Sequence, residues 1–110
     1  GTVAVANEYA LRADGEDTRR VLLFNSTSGA LEATLTYVPD WSMIVGESLG
    51  LVEFAAHPFD EHRLLALERG WSATRGNDIR LHEIELDGAH DVSKCASIAT
   101  AGVCAECTLP

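Results

Sequence analysis

Short apolar runs separated by turn-forming residues predict β-strands along the whole chain. In the first half we expect strands at Thr2–Ala6, Arg20–Phe24 and Leu31–Val38. A polar loop at residues 12–18 follows the first strand region, and the turn Asn25–Gly29 joins the second and third strands as a hairpin. This half therefore predicts a small antiparallel meander.

The second half repeats this layout. We expect strands at Leu49–Ala56, Arg63–Trp71 and Ile79–Leu86, with a turn at residues 57–62 and a loop at residues 72–78. The displacement from Val3 to Leu49 is 46 residues, close to the spacing of about 40 to 50 residues between propeller blades. The pattern predicts an all-β chain of antiparallel meanders that forms part of a β-propeller, about two blades of it.

Each blade would need a fourth strand. Trp41–Val45 and the stretch after Asp91 are the candidates. A competing interpretation makes residues 58–70 a helix, because Pro58 and acidic residues come early, Arg69 comes late and Gly70 follows. The strand interpretation holds only if the repeat is real.

Composition limits the function classes. The 110 residues include 8 Lys and Arg against 17 Asp and Glu, a net charge of −9. This balance argues against binding to nucleic acid or to an anionic membrane surface, since phosphate neutralisation needs clustered basic residues. No apolar run approaches the roughly 20 residues of a membrane span. No signal peptide is visible, and the opening Gly1 suggests a processed or partial chain.

Two features favour an exported protein, secreted, extracellular or lumenal. Cys95, Cys104 and Cys107 lie near the end of the chain. We expect a disulfide, either between Cys95 and one of Cys104 and Cys107 or between Cys104 and Cys107. A structural zinc site is the alternative, but it takes four ligands and this region offers three thiols. Asn25-Ser26-Thr27 is an N-glycosylation sequon at an expected turn, so an N-glycan on Asn25 is expected.

An acidic region early in the chain could hold a cation. Glu8, Asp14, Glu16 and Asp17 offer the carboxylate oxygens that Ca²⁺ takes, although their spacing differs from that of an EF-hand loop. A solvated acidic loop is the alternative interpretation.

Glu68 and Arg69 follow an apolar run that we expect to be buried. Neighbouring residues of a strand point to opposite faces, so these two would not pair with each other. A buried charge persists only with a partner or a ligand. Arg75 and Arg80 are candidate partners of Glu68, either in a structural ion-pair network or in a ligand site.

The segment Gly46–Gly50 matches the G-x-S-x-G nucleophile elbow around Ser48. Asp78 or Asp87 and then His90 follow in the order of a Ser-Asp-His triad. The elbow needs a strand before the serine and a helix after it. The alternative is that these glycines only lead into an inner strand.

Several segments together resemble the phytase-like family described as "esterase-like activity of phytase". They are LLALERGW at Leu64–Trp71, RGNDIRLHEIEL at Arg75–Leu86, GAHDV at Gly88–Val92, EYAL at Glu8–Leu11, and Asp14-Gly15. The similarity extends over roughly residues 3–92. We take residues 1–92 as a propeller-like segment of a larger domain, with residues 93–110 as a cysteine-containing tail.

The resemblance implies a secreted or periplasmic β-propeller with phosphoesterase-type hydrolysis. By position it makes Glu8, Asp14 and Glu68 catalytic or metal-binding residues, with Glu8 and Asp14 as ligands of Ca²⁺. Arg69 would bind the anionic phosphate through its forked donors. A closed propeller needs at least four blades, so the rest of the propeller or neighbouring chains would be partners.

Three functions follow as hypotheses: a hydrolase of phosphoric esters, a non-catalytic extracellular structural or interaction propeller in a larger assembly, and a serine hydrolase that uses Ser48.

Overall fold

A computed structural model of the chain describes residues 1–14, 18–39, 48–95 and 98. Within these residues every regular element is a β-strand, and neighbouring strands pair in antiparallel fashion. The strands are β1 (Thr2–Ala6), β2 (Arg19–Asn25), β3 (Leu31–Tyr37), β4 (Ser48–Ala56), β5 (Arg63–Ser72) and β6 (Gly76–Glu85). The predicted all-β class with two successive antiparallel meanders is confirmed.

The strands form two three-stranded sheets, in the orders β1-β2-β3 and β4-β5-β6. The chain divides into two compact units. The first unit combines Gly1–Val38 with Ala89–Pro110, and the second is Pro39–Gly88. Residues on both sides of the boundary suggested at position 92 thus belong to the first unit.

The first sheet buries Val21 against its cross-strand partner Leu35. Residues 91–92 occupy the outer edge of β3, where the backbone of Thr34 would otherwise lack a strand partner. The N–H of Val92 donates to the Thr34 carbonyl at 2.8 Å, and the N–H of Thr34 donates to Asp91 Oδ1 at 3.0 Å. Covering an edge in this way satisfies backbone groups that would otherwise be open to pairing with another chain.

This pairing corrects one expectation. In the described part of the stretch after Asp91, residues 92–95 form no strand, and residues 91–92 hydrogen-bond to Thr34 of β3 in the first unit. Val92, Cys95 and Ile98 then form a buried apolar group. The other candidate fourth strand, Trp41–Val45, lies outside the described residues.

The second sheet has one buried face. Leu49 and Leu51 of β4 and Ala66 of β5 are almost fully inaccessible to solvent. A register shift between Leu51 and Glu53 marks a β-bulge at Val52, which inserts one extra residue and bends the strand locally. Burial of these side chains on one face supplies the apolar contact that holds the sheet in its register.

The helix interpretation of residues 58–70 is wrong. Residues 63–72 form β5, the central strand, and pair with β4 on one side and β6 on the other. Backbone pairing on both edges outweighs the helix-like order of Pro58, Arg69 and Gly70, because local propensity is a weak prior against tertiary context.

The hairpin between β5 and β6 is tighter than the sequence suggests. Strand β6 begins at Gly76, three residues before the predicted Ile79. Gly76 pairs with Ser72 and has a φ of 72°, a value that glycine adopts without steric cost. The N–H of Arg75 donates to Ser72 Oγ at 3.0 Å, which closes the turn.

None of the described segments forms a helix long and apolar enough to span a membrane.

Candidate functional site

Asp14 lies at the centre of a buried polar contact in the first unit. Arg20 donates to both of its oxygens, from Nε to Oδ2 at 2.7 Å and from Nη2 to Oδ1 at 2.8 Å. The N–H of Ile98 also donates to Oδ1, at 3.0 Å. The side chain of Asp14 is only 1% exposed and that of Arg20 is 12% exposed. Both carboxylate oxygens are therefore occupied by donors.

This arrangement lowers the pKa of Asp14 below its ordinary value of 3.8. The hydrogen bond from Arg20 is the largest cause; burial acts in the opposite direction, and the N–H of Ile98 adds to the lowering. Hydrogen bonds to the charged form favour ionisation. Asp14 is thus held as a carboxylate that links the loop after β1, strand β2 and the segment near Ile98.

Both oxygens of Asp14 accept hydrogen bonds from Arg20, and Glu8 is exposed. A Ca²⁺ site at Glu8 and Asp14 stays a prediction. The backbone carbonyl of Glu8 accepts a hydrogen bond from Arg19 Nε at 2.8 Å. Among the described residues, no group of three or more His, Cys, Asp or Glu side chains is arranged to hold a metal ion. Glu16 and Asp17 lie outside the described residues.

Glu68 and Arg69 lie on opposite faces of the second sheet. Glu68 is opposite Leu51 on the buried face and is 0% exposed, whereas Arg69 is opposite Gly50 and is exposed. Alternation along β5 produces this separation. The two residues cannot contact the same atoms of a ligand bound on one face of this sheet.

On the side of β6, the neighbours of Glu68 on its own face include cationic or ionisable side chains. Arg80, one of the two arginines suggested as its partner, is directly opposite Glu68 in the register of β5 and β6. His82 follows two residues later, on the same face, with Nε2 at 3.3 Å from Glu68 Oε2. Arg80 Nε also lies 4.0 Å from Asp78 Oδ1. We call Glu68, Arg80 and His82 the Glu68 cluster.

The family of the chain follows from a comparison with protein-family models. The phytase-like model, described as esterase-like activity of phytase, matches residues 1–107. The chain belongs to the phytase-like family. No curated protein and no solved structure matches it.

His82 is the residue of this phytase-like chain that sequence reasoning missed. The histidines show no metal or catalytic spacing in the sequence, so His82 gave no signal by itself. The signal lies in the hairpin: once the turn at residues 73–75 sets Ser72 opposite Gly76, counting along both strands puts Arg80 opposite Glu68 and His82 two pairs further, opposite Ala66. The prediction of a loop over residues 72–78 hid this relationship, because β6 already begins at Gly76.

The nucleophile elbow does not exist in the phytase-like chain. Ser48 is the first residue of strand β4, which pairs with β5 and continues to Ala56. An elbow requires a sharp turn from a strand into a helix at the serine. Gly50 lies within β4, so the residues after Ser48 continue as a strand and form no helix, and the nucleophile-elbow interpretation is wrong.

The predicted modification residues have a defined setting. Asn25 ends strand β2, and its Oδ1 accepts from the N–H groups of Thr27 at 2.9 Å and Ser28 at 3.0 Å. Cys95 is buried and disulfide-bonded. Cys104 and Cys107 lie outside the described residues, so the pairing stays a prediction.

Proposed function

We propose that the protein hydrolyses phosphoric esters and that the reaction takes place at the Glu68 cluster. The observation that carries this proposal is the phytase-like match over residues 1–107, because the family description names an esterase-like activity. At this cluster a carboxylate, an imidazole and a guanidinium share one face of the second sheet, and the carboxylate is fully buried.

These three groups suit the chemistry of phosphoric esters. A guanidinium offers forked donors to phosphoryl oxygens. An imidazole is the side chain that most often transfers protons near neutral pH, and a carboxylate beside it fixes its orientation. A catalytic role for Glu68 is supported by its complete burial next to His82, since a buried carboxylate needs cationic or hydrogen-bonding neighbours.

The other residues implied by the family resemblance have weaker support. Arg69 faces away from Glu68, so it would bind a phosphate only on the exposed face of the sheet. Glu8 and Asp14 belong to the first unit, and Asp14 already has both oxygens occupied. Roles for these three in catalysis, and for Glu8 and Asp14 in Ca²⁺ binding, stay predictions.

Hydrolysis by the full-length protein tests the proposal. The protein is incubated with p-nitrophenyl phosphate and with a polyphosphorylated inositol, and released phosphate is measured, with Glu68→Gln as the variant and Glu61→Gln as the exposed control. We expect turnover in the wild type and the control and a loss in Glu68→Gln. A wild-type rate equal to that of buffer would overturn the proposal. Repeating the assay with Ca²⁺ and with a chelator tests the calcium expectation separately.

A second function is favoured by the ion pair of Asp14. A closed, bidentate pair that ties three segments of the first unit together is what a structural propeller module needs. On this reading the chain braces the rest of a propeller or binds neighbouring chains without catalysis. The same assay separates the two functions, because a purely structural module releases no phosphate.

We also propose export, with N-glycosylation at Asn25. The sequon is the only Asn-x-Ser/Thr triplet of the sequence, Ser26 and Thr27 are exposed, and the hydrogen bonds of Asn25 noted above use Oδ1 rather than the Nδ2 that carries a glycan. The protein secreted by a eukaryotic host should lose mass when N-linked glycans are removed by a glycosidase, and Asn25→Gln should not. A secreted wild type with the bare polypeptide mass would contradict this.

A further inference from the structure

We propose that His82 is the general base of the phosphoric-ester hydrolysis and that Glu68 is the residue that positions it. This inference rests on the proposed function and adds to it a residue that the family resemblance did not single out. It assigns the deprotonation of the attacking water to one side chain and the phosphate contact to Arg80.

The geometry begins with the burial of the pair. Glu68 is 0% exposed, while the His82 side chain keeps 31% of its surface exposed. The ring nitrogen that faces Glu68, Nε2, has no contact with solvent. The exposed part of the imidazole therefore consists of other atoms, and the ring extends from a buried carboxylate toward the surface.

This orientation has a consequence for the tautomer. A neutral imidazole carries its proton on one nitrogen and a lone pair on the other. With Nε2 beside a carboxylate, the proton is favoured on Nε2 and the lone pair on Nδ1. Orientation of a histidine by a buried carboxylate on its far nitrogen is the arrangement that produces a general base in hydrolases.

Arg80 supplies the positive charge next to this base. It is two residues before His82 on β6, so both side chains are on the same face. Its side chain is 45% exposed, and Asp78 Oδ1 lies 4.0 Å from its Nε. Among the described residues of the second sheet, Glu68, Asp78 and Arg80 are charged groups on the same face as His82. A phosphate dianion would find its counter-charge at Arg80.

In the proposed step, a water oxygen attacks phosphorus and forms a new P–O bond while His82 Nδ1 accepts the proton of the water. The P–O bond to the ester oxygen breaks on the opposite side of phosphorus, and its electron pair leaves with that oxygen. The leaving oxygen takes a proton from solvent water, and the imidazolium of His82 returns its proton to solvent. The products are an alcohol and inorganic phosphate, and the imidazole is regenerated. The carboxylate of Glu68 stabilises the imidazolium.

The experiment compares the full-length wild type with His82→Gln, Glu68→Gln and the control His62→Gln. His62 is exposed at the turn before β5 and contacts Glu61 and Asp87. With p-nitrophenyl phosphate we expect His82→Gln to lower kcat about 100-fold or more with little change in KM. His62→Gln should keep the wild-type rate, and circular dichroism should show that all variants are folded.

The pH profile separates positioning from a merely structural role. Removing the negative charge of Glu68 disfavours the protonated imidazole. The acidic limb of the kcat/KM profile should therefore move to lower pH in Glu68→Gln. Loss of folded protein alone would scale the profile without moving that limb. Imidazole added to His82→Ala should restore part of the rate, which keeps the test decisive if His82→Gln fails to fold.

The outcomes distinguish the two claims. A wild type without turnover overturns the proposed function. A wild type with turnover and a His82→Gln variant of equal kcat overturns the role of His82 alone. An unmoved acidic limb in an active, folded Glu68→Gln variant overturns the positioning role of Glu68.

Discussion

Arg20 binds the carboxylate of Asp14 through two parallel hydrogen bonds of 2.7 and 2.8 Å. The fork of the guanidinium matches the two oxygens of the carboxylate, which makes this geometry stronger than a single contact. Arg20 Nη1 also donates to the carbonyl of Cys95 at 3.2 Å, and Asp14 accepts from the N–H of Ile98. One ion pair thus ties the early loop and β2 to the segment after the second sheet.

Replacing Asp14 with Asn should destabilise the protein. The substitution keeps the volume but removes the charge that Arg20 faces in a mostly buried position. We expect the free energy of unfolding to fall by about 2 kcal/mol, the scale of hydrogen bonds to charged groups. Urea unfolding followed by circular dichroism measures this. Glu61→Gln, whose side chain is 91% exposed, is the control, and an equal loss in both variants would argue against the ion pair as the cause.

The same pair sets a direction for stability against pH. Because the pKa of Asp14 is lowered in the folded state, its stabilising contribution is complete above the ordinary value of 3.8 and declines as the pH falls below it. The pKa of Asp91 is also lowered, chiefly by the N–H of Thr34. The free energy of unfolding of the wild type should therefore decrease as the pH falls from about 4 to about 2, because both carboxylates become protonated over that range.

Asp14→Asn provides the comparison for this pH effect. Its unfolding free energy should decline less steeply over the same interval, because one of the carboxylates that bind protons on unfolding is absent. Parallel curves for the wild type and the variant would contradict the lowered pKa of Asp14.

The sequence was sufficient for the strand plan but not for the site. Alternation and turn residues located the six strands of the described residues, and β1 was predicted with the bounds that the structure has. Apolar residues at alternate positions form one apolar face whichever strands lie beside them, so the position of a strand can be predicted from its own residues. The start of β6 was missed because the turn-forming residues Gly76, Asn77 and Asp78 belong to the strand, where Gly76 closes a short hairpin.

Contacts between distant residues were beyond the sequence. Nothing local indicates that Asp14 accepts from the backbone of a residue 84 positions later, or that residues 91–92 pair with Thr34. The surroundings of Glu68 could be predicted in part. The apolar run before it indicates a buried charge that needs a partner, and Arg80 was named as a candidate. His82 could be found only from the strand register. A buried charge needs a partner, and the pairing of the strands determines which residue is close enough to be that partner.

The opposite orientation of Glu68 and Arg69 gives a prediction for activity. If hydrolysis takes place on the face of Glu68, Arg69→Ala should keep kcat within about twofold of the wild type, because its side chain is exposed on the other face. Surface substitutions of this kind usually change stability by no more than about 0.5 kcal/mol. Phosphate release by Arg69→Ala and by the exposed control Arg75→Ala measures the effect. A loss of kcat confined to Arg69→Ala would instead place phosphate binding on the exposed face.

The left-handed conformation of Gly76 gives the last prediction. Its φ of 72° is unfavourable for a residue with a side chain, although a Cβ there would meet no heavy atom within 4 Å. Gly76→Ala should therefore destabilise the second sheet by about 1 kcal/mol through backbone strain alone. Gly76→Asn should lose less, since asparagine tolerates this conformation better. Gly29, with a φ of 74° and equally open space, is the matched position in the first sheet, so Gly29→Ala should lose a similar amount. Thermal unfolding of the three variants measures the strain, and an unchanged stability in both alanine variants would show that these turns relax at no cost.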